Sequence, residues 1–209
     1  MVSQVSKQKP RRFAAIVLAA GAGRRFGGAK LTAPFGEGVV IDSALDLAAA
    51  AGTPVIVAIG ADPQVAARAR ARLKDKAELI IVEVASWDLG LSKSLRAAVA
   101  AVPKACDGAF ICLGDMPKIP HAIPSRLASA FEETDLAVAP FYQGLRGHPV
   151  LISRGLFSRL DALKGDQGAG RILDGLGPAL RRVDTDHAGI GFDIDTQADL
   201  TPKSETSRP

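Results

Sequence analysis

Five apolar runs of strand length alternate with four helix-like segments along this chain, and that alternation restricts the fold more than any other feature. The runs are Phe13–Leu18, Pro54–Ile59, Leu79–Val82, Ala109–Leu113 and Leu136–Ala139, each short and rich in β-branched or apolar residues. Between them, Ile41–Ala51, Pro63–Leu73, Ser92–Val102 and Pro120–Glu132 show helical periodicity or an alanine-rich composition, and Asp62-Pro63 supplies a cap and first-turn pair for the second helix. Near-continuous apolar strands separated by helices belong to a parallel sheet covered on both faces. The expectation is a three-layer, doubly wound, mostly parallel α/β domain, with ligands beyond the carboxyl ends of its strands. The turn-rich stretch Gly144–Phe192 is expected to pack on one edge as a substrate-facing lobe.

Composition narrows the possibilities. At 209 residues and 47% hydrophobic, the chain suits one domain with a sizeable core. Its apolar stretches stop well short of the ~18 residues a membrane helix needs, and the cationic start carries no apolar leader core, which reads as a cytoplasmic protein. Two cysteines, Cys106 and Cys112, are too few for a disulfide framework or a metal cage, and Cys112 sits in an apolar run as a core thiol. The net charge of +4 comes from the ends: residues 13–200 carry 20 cations and 21 anions. Lys7, Lys9, Arg11 and Arg12 mark residues 1–12 as a basic disordered tail, residues 201–209 form a second tail, and a folded surface without basic excess speaks against a nucleic-acid partner.

The first strand runs directly into Leu18-Ala19-Ala20-Gly21-Ala22-Gly23-Arg24-Arg25-Phe26-Gly27-Gly28-Ala29-Lys30. Small residues let backbone N–H groups approach phosphate oxygens, while Arg25 and Lys30 supply the positive charge that amides lack. The loop is not a Walker loop, because Leu31 follows Lys30 where serine or threonine is required, and not a dinucleotide fingerprint, because Phe26 stands where the third glycine belongs. Further on, Gly114-Asp115-Met116-Pro117 closes a strand with a carboxylate placed for Mg²⁺, or with a turn aspartate that satisfies local N–H groups. Asp193 and Asp195 fall on the same side of an extended segment, as a cation-binding pair or as the wet face of an edge strand. Ser92 opens a helix, where it caps the end or meets a ligand. Pro149 restrains His148 to an extended backbone and so aims its ring; His121 and His187 read as surface residues. Gly165-Asp166-Gln167-Gly168-Ala169-Gly170-Arg171 is a glycine turn ahead of a short helix over Ile172–Leu176.

The pattern L-A-A-G-x-G-x-R-x-G-x-x-K resembles the signature loop of nucleotidyltransferases, most closely that of the molybdenum cofactor cytidylyltransferases and their relatives, and the likeness spans roughly residues 13 to 200. It implies a Rossmann-like nucleotidyltransferase domain of the glycosyltransferase-A-like superfamily. The activity it implies is Mg²⁺-dependent transfer of CMP from CTP to the terminal phosphate of molybdenum-molybdopterin, with release of pyrophosphate. By the same resemblance Leu18, Ala19, Ala20, Gly21, Ala22, Gly23, Arg25, Lys30 and Ser92 meet the nucleotide, and Arg25, Lys30 and Asp115 are catalytic. Asp115 and Asp195 hold the metal, with Asp193 undecided, and His148, Asp166 and Arg171 meet the acceptor. A transient contact with a molybdenum hydroxylase or its chaperone would complete the picture. L-A-A-G accompanies cytidylyl transfer in the family, whereas L-A-G-G marks the guanylyl branch. The chain departs from the pattern at Val84-Ala85, at Gln197-Ala198, and at Gly170, which pushes the expected arginine to Arg171. Two competing readings are transfer to another phosphorylated acceptor, such as a sugar phosphate, and a non-catalytic nucleotide-binding module. Ala29, where sugar-phosphate members have proline, argues against the first; Arg25, Lys30, Asp115 and Asp195 together argue against the second.

Overall fold

In the computed structural model, which describes residues 10–60 and 62–201, the strand Phe13–Ala19 (β1) lies inside the main sheet and sends its side chains alternately into two cores. Ala15, Val17 and Ala19 enter one; Ala14, Ile16 and Leu18 enter the other. A strand this apolar on both faces is stable only with a layer of helices on each side. After β1 come a small hairpin, β2 (Pro34–Phe35) and β3 (Gly38–Val39), then α1 (Val40–Ala51), β4 (Val55–Ile59), α2 (Gln64–Leu73), β5 (Leu79–Glu83), α3 (Leu91–Ala100), β6 (Gly108–Leu113) and α4 (Ile123–Ala130). The second half adds β7 (Ala137–Tyr142), β8 (Leu145–Arg146), β9 (Val150–Ser153), α5 (Phe157–Leu160), α6 (Gly170–Asp174) and β10 (Leu180–Asp184).

The sheet runs β10-β7-β9-β6-β1-β4-β5, with β8 paired to β7. β1 is parallel to both β4 and β6, β4 to β5, and β7 to β10. Leu45 of α1, Val65 of α2 and Leu127 of α4 fill the first core; Leu95 of α3, Leu160 of α5 and Leu173 of α6 fill the second. This is the expected three-layer architecture. Cys112 lies in the first core, where burial pushes its thiol up to about 12, so it is an inert packing group. Among the described residues no helix is long and apolar enough to cross a membrane.

Two expectations are corrected. Gly144–Phe192 does not merely sit on an edge: β9 inserts between β6 and β7, antiparallel to both, with Ile152 opposite Ala109 and Ala137. Val150, Leu151 and Ile152 are all buried, Leu151 in one core and Ile152 in the other, so this run requires a central place. Following a proline in a turn-rich stretch with no strand–helix alternation around it, this run is not announced as a strand by the sequence. The chain also enters the fold before residue 13. Arg12 N–H donates to the Asp107 carboxylate at 2.8 Å, and the Arg11 guanidinium donates to the Phe131 carbonyl and stacks on that ring. Residues 1–9 and 202–209 of the two expected tails lie outside the described residues.

α1 and α2 are locked by a ladder of charges at helical spacing. Asp42 accepts from Val39 N–H at 3.1 Å, capping α1, and from Arg68 Nε at 2.7 Å; one turn on, Asp46 accepts from Arg72 Nε at 3.0 Å and Lys76 Nζ at 2.7 Å. Burial alone would raise the pKa of Asp42, but the Arg68 guanidinium and the Val39 N–H more than offset it and hold the carboxyl below its usual value. Its stabilising contribution is therefore present above about pH 4 and is lost as pH falls through the depressed value. Asp42→Asn should cost about 2 kcal/mol at neutral pH and flatten the acid limb of a stability–pH curve, read by urea unfolding at several pH values.

Candidate active site

The carboxyl ends of β1 and β6 open into a cavity of about 510 Å³. Leu18 through Arg25 and Lys30 form one side, Trp87, Asp88, Gly90, Leu91 and Ser94 another, and Asp115, Asp166 and Asp195 complete the rim. Local backbone geometry shapes the loop. Gly23 has φ +60°, and a Cβ there would stand 2.7 Å from the Gly28 carbonyl oxygen and 2.9 Å from Lys30 Cβ. The N–H groups of Phe26, Gly27 and Gly28 converge on the Gly23 carbonyl at 2.9, 3.0 and 3.2 Å, closing a tight turn pinned by the buried Phe26 ring. Among the described residues the N–H groups of Gly21 to Arg25 have no protein acceptor, which leaves them for an anion.

Asp115 and Asp195, far apart in sequence, meet through the backbone. Ile194 is fully buried, and its N–H donates to the Asp115 carbonyl at 2.9 Å. The flanking Asp193 and Asp195 are turned outward, and Asp199 braces the segment by accepting from Thr196 N–H at 2.8 Å. Gly114 N–H bonds the Leu18 carbonyl at 3.0 Å, which brings Asp115 against the start of the glycine loop. Lys30 Nζ lies 2.6 Å from Asp115 Oδ2 and 3.9 Å from Asp195 Oδ1, and Arg25 Nη1 lies 2.5 Å from Asp195 Oδ2. Gln197, at the departure from the family pattern, reaches the Phe26 carbonyl at 3.4 Å and so touches the same loop. Asp193 belongs to the same field: burial, then Asp195 and Asp115, raise its pKa above the usual value.

One ammonium answers both Asp115 and Asp195, so one cation can serve both, and the donors are hard oxygens of the type Mg²⁺ and Mn²⁺ prefer. No group of three or more histidine, cysteine or acidic side chains forms a ready-made cage among the described residues. Mg²⁺ held by one or two carboxylates together with substrate phosphates needs none.

Other expected residues fall differently. Asp166 lines the cavity because its loop docks on the start of α3: Ser92 N–H donates to the Gly165 carbonyl at 3.1 Å. Ser92 itself does not line it. The helix begins at Leu91 rather than after Ser92, so Ser92 is turned inward with its hydroxyl buried and unpartnered, and Ser94 lies on the face of Leu91, three residues earlier. A helix start placed at Leu91 would have selected Ser94. His148 lines a second, mostly apolar cavity of about 110 Å³ that shares Leu18, Leu91 and Leu113 with the first, and its Nδ1 meets the Ile111 carbonyl at 3.3 Å. Arg171 is exposed on α6 and lines neither cavity, because the extra Gly170 starts that helix. The arginine that reaches the second cavity is Arg146, held by the Asp174 carboxylate and, at 3.3 Å, by the Gly170 carbonyl. His121 and His187 are exposed, as expected.

Comparison with known proteins places the fold in a family. Residues 15–183 match the model of the MobA-like NTP transferase domain, and the chain belongs to that family of nucleotidyltransferases. It is 28% identical over 139 residues to the molybdenum cofactor cytidylyltransferase of Escherichia coli (strain K12), covering 66% of this chain and 69% of that protein. Among solved structures it resembles Rv0371c from Mycobacterium tuberculosis H37Rv, with TM-score 0.74 and 28% identity over 91% of this chain and 96% of the other. A crystal structure of Rv0371c in complex with manganese gives TM-score 0.71 at 28% identity, covering 90% of this chain and 95% of that one.

Two measurements probe the construction of the site. Gly90 has φ +107°, and a Cβ on it would stand 2.2 Å from the Gly165 carbonyl carbon; Gly90→Ala should destabilise the fold by about 2–3 kcal/mol in thermal unfolding and displace Asp166. Burial, chiefly, lowers the pKa of His148, so the folded protein keeps its ring neutral where the unfolded chain takes up a proton. Stability should therefore fall as pH drops below about 6.5, down to the depressed value, and His148→Gln should flatten that slope in denaturant titrations.

Proposed function

We propose that this chain transfers the cytidylyl group of CTP to the terminal phosphate of molybdenum-molybdopterin, in a Mg²⁺-dependent reaction that releases pyrophosphate. The observation that carries the reading is the single ammonium of Lys30 shared by Asp115 and Asp195, beside a loop whose N–H groups are free to donate to phosphate oxygens. In this reading an oxygen of the acceptor phosphate bonds to the α-phosphorus of CTP. The bond from that phosphorus to the bridging oxygen breaks, and pyrophosphate leaves with the electron pair. The acceptor is already ionised at neutral pH, so no side chain has to take a proton from it.

The protein contributes position and charge. The N–H groups of Gly21 to Arg25 orient the phosphate chain, and Lys30 and Arg25 offset the charge that gathers on the leaving oxygens. Asp115 and Asp195 would hold Mg²⁺, which supplies electrostatic stabilisation of the phosphoryl oxygens. Ala20 is buried at the cavity wall, where its methyl favours a pyrimidine over a bulkier purine, and L-A-A-G is the cytidylyl form of the signature. Arg146 and His148 serve the acceptor side, where their cavity adjoins the first. Two free, buried cysteines suit a reducing cytoplasm. A transient hand-over to a molybdenum hydroxylase or its chaperone is supported by family resemblance.

The test is pyrophosphate release measured with CTP, GTP and ATP, with and without molybdopterin. CTP with molybdopterin should be the preferred pair, and Asp115→Asn should lower the rate by about 10²–10³-fold. A clear preference for GTP, or turnover only with another phosphorylated acceptor, would replace the substrate assignment.

A further inference from the structure

We infer that Arg24, rather than the signature arginine Arg25, is the residue that first receives the nucleotide's phosphate chain. The inference rests on the cavity holding a nucleotide, and not on which base or acceptor it takes. Three cationic side chains line the cavity, Arg24, Arg25 and Lys30, against four carboxylates, Asp88, Asp115, Asp166 and Asp195. An entering triphosphate therefore meets a rim with no positive excess. Two of the three cations are already committed: Arg25 to Asp195, and Lys30 to Asp115 and Asp195. Lys30 is also the least free to move, with 13% of its side chain exposed.

Arg24 differs from both. It is exposed, it lines the cavity, and its side chain has no ion pair or hydrogen bond to any described residue. It also sits within the run Gly21–Arg25 whose N–H groups lack acceptors, on the outside of the turn closed onto the Gly23 carbonyl. A polyanion reaching Arg24 gains a charge-assisted hydrogen bond without first breaking an ion pair, whereas reaching Arg25 costs the Asp195 contact. Arg24 is therefore the nucleotide-binding residue in the absence of metal. Arg25 and Lys30 turn to the phosphates only when another cation satisfies Asp115 and Asp195.

The experiment is calorimetric binding of CTP and of inorganic tripolyphosphate to the full chain in the presence of a chelator, over a range of salt concentrations. Arg24→Gln should weaken both ligands about five- to tenfold and reduce the salt dependence of binding. Arg25→Gln should change either affinity by less than about twofold, and Arg24→Lys should recover most of the loss. The Arg24 side chain is exposed and makes no ion pair or hydrogen bond to a described residue, so its substitutions leave the fold intact; the fluorescence of the single tryptophan, Trp87, checks the cavity wall. Tripolyphosphate carries no base, so a failed CTP assignment leaves this measurement standing. The inference is overturned if Arg24→Gln binds tripolyphosphate as the unsubstituted chain does, if only CTP is weakened, or if Arg25→Gln loses as much as Arg24→Gln.

Discussion

The site depends on one backbone joint: the hydrogen bond from Ile194 N–H to the Asp115 carbonyl, sealed by the fully buried Ile194 side chain. Without it, Asp195 would belong to an irregular segment after the last strand, with nothing to hold it beside the turn after β6. With it, the two neighbours of Ile194 must point outward, and Asp195 comes within reach of both Lys30 and Arg25. The joint is dry on the Ile194 side and wet on the aspartate side. That is the arrangement a rigid carboxylate site needs, because burial fixes the backbone while the charges stay solvated.

The layers of the fold serve the same end. β1 is apolar on both faces because helices cover both, and it ends in residues too small to obstruct a ligand. The glycine loop can then leave the sheet with the N–H groups of Gly21 to Arg25 unspent, while Phe26 and Leu31 anchor its second half in the core. Charge balance follows from this geometry. Carboxylates from four separate segments surround a loop carrying three cations, so each of those cations is either occupied or available. That bookkeeping is a property of the assembled cavity.

Legibility in the sequence followed the alternation of elements. The five short apolar runs and the helices between them are each found within a few residues of where the alternation puts them, because a strand and the helix that follows it support each other's assignment. β9 escaped because it follows a proline in a turn-rich stretch, outside the strand–helix alternation, although Val150, Leu151 and Ile152 demanded burial. Ser92 and Ser94 stand about 200° apart around the helix, so only one of the two hydroxyls meets the cavity, and the structure shows that it is Ser94, on the face of Leu91. Arg171 failed for a related reason, since one inserted glycine moved it onto the solvent face of a short helix while Arg146, from another strand, reached the space instead.

By itself the sequence determined the layered α/β class, the loop that ends β1, and the residue types able to handle phosphate and a divalent cation, because these follow from periodicity and chemical identity within short segments. Only the tertiary structure decided which of those residues meet. The approach of Asp115 and Asp195 to one ammonium, the commitment of Arg25 and Lys30 to them, and the freedom of the Arg24 side chain depend on how distant segments are clamped together, and an amino-acid string carries no local record of such distances.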